Sequence, residues 1–339
     1  SKRKPSRHHN WTAAGTGLLL LALFVAFYVH HTNTPVSPET RTVTVEIPQG
    51  TGFSGAADIL DRAGLIKNRP LFYLLVIGKQ VHRQIRAGEY EFSTAMTPRQ
   101  IVKKLVKGEI KVYTVPIPED LNLREIADRL AGYKLVDPEQ FIALAHDREF
   151  LASLGIDGPS AEGYLFPATY SFTRSMTQRE IMRRMVREFR RRITPAMVAR
   201  AEALGMTMGE WVTLASLIGK ESGCGPEKPM ISAVFHNRLK KGMKLQSDPT
   251  AVYDLDNFHG AITRRHLRRR APYNTYWIAG LPPGPIANPG LDSLKAALAP
   301  APVDYLYFVS NNNGSHYFSS TLLAHREATV KYQTDKQKN

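Results

Sequence analysis

Residues 11–29 contain no charged side chain, and this run limits the possible folds of the chain more than any other feature. About 20 residues at a rise of about 1.5 Å cross the hydrocarbon core of a bilayer, so the run is predicted to be a transmembrane helix and not part of a soluble core. Lys2, Arg3, Lys4 and Arg7 precede it, and Trp11 and Tyr28 stand near its ends. Basic residues hold the flanking tail in the cytoplasm and aromatic residues mark the interfaces. The expectation is a cytoplasmic tail over 1–10, one span over 11–29, a linker over 30–42 carrying Pro35 and Pro38, and the bulk of the chain outside the cytoplasm. A cleaved signal peptide is the competing reading, but no small-x-small cleavage pattern follows the run.

The remainder has the composition of a globular protein of one or two domains, with 43% hydrophobic and 22% charged residues in 339. A formal charge of +15 favours anionic partners such as nucleic acid, lipid head groups or acidic wall polymer. An exported chain does not meet DNA, so the nucleic-acid reading is set aside. Cys224 is the only cysteine, which excludes an intramolecular disulfide. The 11 histidines, among them His236, His259, His266, His316 and His325, share no ligand-like spacing, so neither a metal nor a cofactor is expected.

Val43, Val45 and Ile47 alternate with polar residues as in a half-buried strand, and Pro48 and Gly50 separate it from a helix carrying Ala56, Ile59 and Leu60. The same strand, turn and helix order recurs at Ile117-Pro118 and then Leu121, Leu123, Ile126, Ala127 and Leu130, with Asp128 matching Asp58. Between the copies the pattern predicts a helix from Leu71 to Ile77, a strand over 88–92 and a helix opened by Thr97-Pro98. Short alternating elements of this kind argue an α+β fold. Farther on, Ile181, Met182, Met185, Val186 and Phe189 form one helical stripe, and Arg183, Arg184, Arg187, Arg190, Arg191 and Arg192 cover the other side. That arginine face is either solvated or set against acidic polymer or lipid head groups.

Thr207 with Glu210 three residues later fits a capping box, and Gly223 fits the residue past a helix end. Within these limits Trp211, Leu214, Ala215 and Ile218 form a stripe whose next position is Glu221. A carboxylate on a buried face at the negative end of a helix dipole is poorly solvated, and its pKa is expected to rise. The alternative is a glutamate turned to solvent at a fraying end. A second helix is predicted over 226–242, with Pro226 at its start and Gly242 at its end. Gln246 suits an N-acetyl group, and Asp248 before Pro249 reads either as a turn former or as a second carboxylate. An arginine-rich stretch over 264–270, a proline-rich loop over 281–290 and a strand over 305–309 follow.

The runs at 214–222, 234–239, 245–250, 273–276, 280–290 and 305–309, together with Glu162-Gly163-Tyr164-Leu165-Phe166-Pro167, resemble the YceG-like family of membrane-anchored endolytic murein transglycosylases. The likeness covers residues 43–332 in the family's order. It implies a small LysM-like module over 43–110, a mixed α/β catalytic region over 111–332 with its core from about 206, and a polar tail over 333–339. It also implies an inner-membrane protein with a periplasmic catalytic domain that cuts peptidoglycan glycan strands internally, beside peptidoglycan synthases. By resemblance the catalytic acid is Glu221. Ser222, Gln246, Ser247, Asp248, Tyr273, Asn274 and Asn288 are the expected substrate-binding residues, with no metal ligand among them. Two positions depart from the family, which often carries Glu where this chain has Gly219 and Asp where it has Ala168. Residues 219 and 221 lie about 200° apart around a helix, so loss of the first side chain need not disable the second. A hydrolase using Asp248, or a wall-binding scaffold without catalysis, are the other readings of the same residues.

Overall fold

The computed structural model describes residues 7–222, 225–255 and 258–333. The expectations resting on Lys2, Arg3, Lys4, Gly223, Cys224 and the 333–339 tail beyond Gln333 lie outside the described residues.

The contacts divide the chain into two compact units. The first comprises residues up to Tyr113 together with Thr173–Ser175. It begins with helix α1, Arg7–Asn33, in which Gly15–Asn33 is long and apolar enough to cross a membrane. Strand β1, Thr42–Ile47, pairs antiparallel with β2, Gly88–Ser93, and helices α2 (Phe53–Arg62), α3 (Arg69–Gly78) and α4 (Pro98–Lys107) complete the unit. The pairing Val45↔Tyr90 turns one face of the ribbon inward, where Tyr90 and Phe92 stack with their ring centroids 5.6 Å apart. Thr97, expected to open α4, closes a capping box with Gln100. A two-stranded ribbon alone is marginal in water, and three helices supply the apolar cover it needs.

The second unit runs from Thr114 to Phe172 and from Met176 onward. Strand β3, Tyr113–Pro116, pairs with β4, Thr169–Phe172, and helices α5 (Leu123–Gly132), α6 (Pro138–Ala145) and α7 (Arg148–Ser153) lie between them in the chain. The strand, turn and helix order expected twice is therefore present as β1 with α2 and as β3 with α5. Helix α8, Gln178–Arg192, buries the predicted stripe, with Ile181, Met182 and Met185 0% exposed. Part of its arginine face serves the fold itself. Arg184 donates to the carbonyl of Ser171, Arg190 to that of Leu154, and Arg191 and Arg192 pair with Glu188.

Helices α9 (Pro195–Ala203), α10 (Met208–Glu221), α11 (Lys228–Lys240), α12 (Arg264–Leu267), α13 (Leu291–Leu298) and α14 (Leu322–Gln333), with the antiparallel pair β5 (Tyr307–Ser310) and β6 (His316–Ser319), complete the unit. Two boundaries differ from the sequence reading. Gly225–Glu227 forms a single 3₁₀ turn, so α11 starts at Lys228 with Pro229, not Pro226, in its first turn. The strand expected over 305–309, β5, begins at Tyr307, because the backbone carbonyls of Val303 and Tyr305 are drawn to the Asn237 side chain. Helix α10 also differs from a one-sided amphipathic helix. Residues 211–219 are all buried, because α9, α11, α13 and the 282–290 loop pack around it.

Candidate active site

Helix α10 places Glu221 in its last turn. The capping box of Thr207 and Glu210 fixes its start, and Trp211 anchors it by donating from Nε1 to the carbonyl of Leu294 at 2.8 Å. The proline-rich loop is tied to the same helix, where the backbone N–H of Ile286 donates to Ser216 Oγ and that hydroxyl donates to the carbonyl of Thr213. Gly163, at φ +87°, passes so close to Pro285 and Val212 that any side chain there would collide with both. The Glu162-Gly163 turn, the loop and the helix therefore form one packed body.

The Glu221 carboxylate meets the 246–250 turn. Ser247 Oγ donates to Glu221 Oε1 at 2.5 Å. Removal of water raises the Glu221 pKa to about 7; the bonds from Ser247 and from the Asp248 backbone oppose this, and the Asp248 charge adds to it. Arg238 approaches from α11 and partly offsets the rise, while its guanidinium donates to the carbonyls of Leu245 and Leu306 at 2.7 Å each. The turn itself is braced. The Gln246 N–H donates to the carbonyl of Thr275, the Ser247 N–H to Thr275 Oγ1, and Thr250 Oγ1 to the carbonyl of Ser247. Gln246 sits at φ +52°, a conformation that costs a non-glycine residue about 1 kcal/mol, and the residue is exposed, with its Oε1 3.5 Å from an Arg238 nitrogen. Asp248 is exposed and accepts from the hydroxyl of Tyr276.

Of the expected residues, Glu221, Gln246, Ser247 and Asp248 come together here, with Ser222 buried at the end of α10. Tyr273 is half-buried, its ring 4.7 Å from that of Tyr253. Asn274 and Asn288 are buried, and backbone groups occupy their amides. Asn274 Nδ2 donates to the carbonyls of Leu267 and Arg269 and its Oδ1 accepts from the Tyr276 N–H. Asn288 Oδ1 accepts from the N–H groups of Gly163 and Leu165, and its Nδ2 donates to the carbonyl of Leu121 and to Glu162.

Several polar residues of this region carried no periodic signal in the sequence. Glu162, 1% exposed, is a second buried carboxylate whose pKa burial raises to about 7. It accepts from the Leu123 N–H at 2.8 Å, the Tyr253 hydroxyl at 3.0 Å and Asn288 Nδ2 at 2.6 Å. Asp120 lies over Gly219, two residues before Glu221, and Tyr276 holds Asp248. Tyr276 and Glu162 lie in the family-like runs 273–276 and 162–167, which point to them, whereas Asp120 lies in none of these runs.

The Asp120 carboxyl fills the space that a side chain at 219 would take, since a Cβ built on Gly219 would collide with it. Burial raises its pKa to about 6, with Lys228 opposing, and its Oδ1 has no hydrogen-bond partner among the described residues. Its backbone is left-handed, at φ +63°. Gly219→Glu alone is therefore expected to destabilise the chain, and adding Asp120→Gly to restore it, with a coupling above about 1 kcal/mol in urea unfolding. Simple additivity of the two substitutions would refute this contact. At the other departure, position 168 contributes backbone, its carbonyl accepting from the Ile117 N–H at 2.9 Å.

The model of the YceG-like family matches residues 45–331. The chain belongs to the YceG-like family. An endolytic murein transglycosylase of Bacillus subtilis is 33% identical over 319 residues, 89% of this chain and 88% of the relative. An enzyme of the same name from Streptococcus pneumoniae is 28% identical over 342 residues, 91% of this chain but 62% of the relative. A crystal structure of a YceG-like protein from Listeria monocytogenes superposes with a TM-score of 0.59 at 36% identity, covering 86% of this chain and all of that one. In this member of the YceG-like family, the matched region contains every residue of the Glu221 cluster.

Proposed function

We propose that this chain is an endolytic lytic transglycosylase of peptidoglycan in which Glu221 is both acid and base. The observation that carries this reading is a carboxyl group with its pKa raised to about 7, held by Ser247 at the end of a fully packed helix. Near neutral pH such a group exists in both protonation states. As an acid it protonates the oxygen linking N-acetylmuramic acid to N-acetylglucosamine. As a carboxylate it then takes the proton of the muramic 6-hydroxyl, whose oxygen closes on C1 to give a 1,6-anhydro ring. Ser247 holds the acid in place through both steps. Gln246, an exposed residue, meets an N-acetyl group, and Ser222, Asp248 and Tyr273 complete the contacts. Asn274 and Asn288 brace loops and do not touch substrate.

The apolar stretch Gly15–Asn33 supports a single-pass anchor. With the basic residues before it, the proposed topology is an N-terminus in the cytoplasm and the catalytic unit outside, beside the enzymes that extend glycan strands. The module over 43–110, read as LysM-like, then holds glycan near the membrane.

Product mass tests the reaction. Transglycosylation consumes no water, so its ends are about 18 mass units lighter than the reducing ends of a hydrolase, which needs a second carboxylate. Asp248 is the residue that a hydrolase would use. Digestion of purified murein is expected to give anhydro ends, with residual activity in Asp248→Asn. Reducing ends together with an inactive Asp248→Asn would establish the hydrolase instead.

A further inference from the structure

Trp277 is 46% exposed, whereas Trp211 is 0% exposed. The Trp277 ring is flanked by two cations, Arg270 Cζ 4.6 Å and Lys244 Nζ 5.5 Å from a ring centroid. Among the described residues neither cation has a carboxylate partner; Lys244 Nζ donates instead to the carbonyl of Tyr276 at 3.1 Å. The Trp277 N–H donates to the carbonyl of Asn274 at 2.8 Å, so the backbone beneath the indole is fixed by the same loop that carries Tyr276. Tyr276 in turn holds Asp248 beside Glu221. A rigid route therefore runs from the acid to an exposed indole one residue beyond its bracing tyrosine.

An exposed indole beside two uncompensated cations suits a ligand with an apolar ring face and negative charge attached to it. We infer that Trp277, Lys244 and Arg270 form a glycan subsite next to the cleavage point. The indole lies against the face of a sugar ring, and the two cations bind carboxylates carried by the stem peptides of that strand. This rests on the murein reading of the Glu221 site and names which part of the polymer the site selects. The exposed positions of Lys244 and Arg270 leave both cations free to move toward such a carboxylate.

The test uses the full chain on native glycan strands and on the same strands with their carboxylates amidated. Trp277→Ala is expected to raise KM about tenfold on both substrates with kcat within about twofold, and Trp277→Phe to recover most of the loss. The double variant Lys244→Gln, Arg270→Gln is expected to raise KM about tenfold on native strands and to match the unsubstituted chain on amidated ones. An unchanged KM in Trp277→Ala on both substrates overturns the subsite. An equal penalty for the double variant on both substrates overturns the carboxylate contact. Binding is read independently in a Trp11→Phe chain, where acrylamide quenching of Trp277 should fall on adding soluble murein fragments, and unchanged quenching again overturns the subsite. Shielded fluorescence in a chain that cleaves no murein would support the subsite and remove the proposed activity.

Discussion

Glu221→Gln is expected to lower murein turnover by about 10²- to 10⁴-fold, the range that a positioned general acid and base contributes. The substitution conserves size and leaves an oxygen to accept from Ser247 Oγ, so the helix end and the 246–250 turn keep their geometry. What is lost is the proton. The same variant has a second signature. The folded pKa of Glu221, about 7, stands above the ordinary carboxylate value of 4.5. Ionising the group therefore works against the folded state. Its favourable contribution is complete below about pH 4.5 and is lost as pH rises to about 7. Glu221→Gln should accordingly unfold at higher urea than the parent chain at pH 8, and the gap should close toward pH 5. Activity of the parent chain should fall as pH rises above about 7, where the acid form disappears. Near-parental turnover in Glu221→Gln, measured by release of soluble fragments from sacculi, would end the assignment.

Glu162→Ala is expected to cost about 3–5 kcal/mol of stability, because it leaves three donors, two of them buried and one half-buried, facing an empty site. Those donors are the Leu123 N–H, the Tyr253 hydroxyl and Asn288 Nδ2. Through Asn288 the loss reaches the N–H groups of Gly163 and Leu165 and the carbonyl of Leu121, so three distant stretches of chain are loosened together. At about 2–4 °C per kcal/mol for a domain of this size, the unfolding midpoint should drop on the order of 10 °C. Glu162→Gln keeps the volume but turns an amide N–H₂ toward one of the donors, and should lie between the two. Thermal unfolding followed by circular dichroism measures both variants. A midpoint for Glu162→Ala within about 2 °C of the parent would show that the carboxylate does not hold these segments.

The long apolar helix, the helix stripes and the caps were legible in the amino-acid order because each is a short-range property. An uncharged run needs only length, a capping box only a spacing of three, and a helical face only the 3.6-residue period. These placed Glu221 at the end of α10 before any tertiary contact was known. Helix α11 starts two residues beyond Pro226 because Pro226 and Pro229 carry the same local signal, and the choice between them rests on the 3₁₀ turn over Gly225–Glu227. The remaining features of the site come from residues far apart in the chain. Asn288 reaches Glu162 across 126 positions and Ser247 reaches Glu221 across 26, distances over which no periodicity connects donor to acceptor. That Asn288 braces a buried carboxylate was decided only when packing removed water from both groups and left each as the other's partner, and that Tyr276 holds Asp248 and Asp120 fills the space left at Gly219 was decided by tertiary contacts between segments distant in the chain.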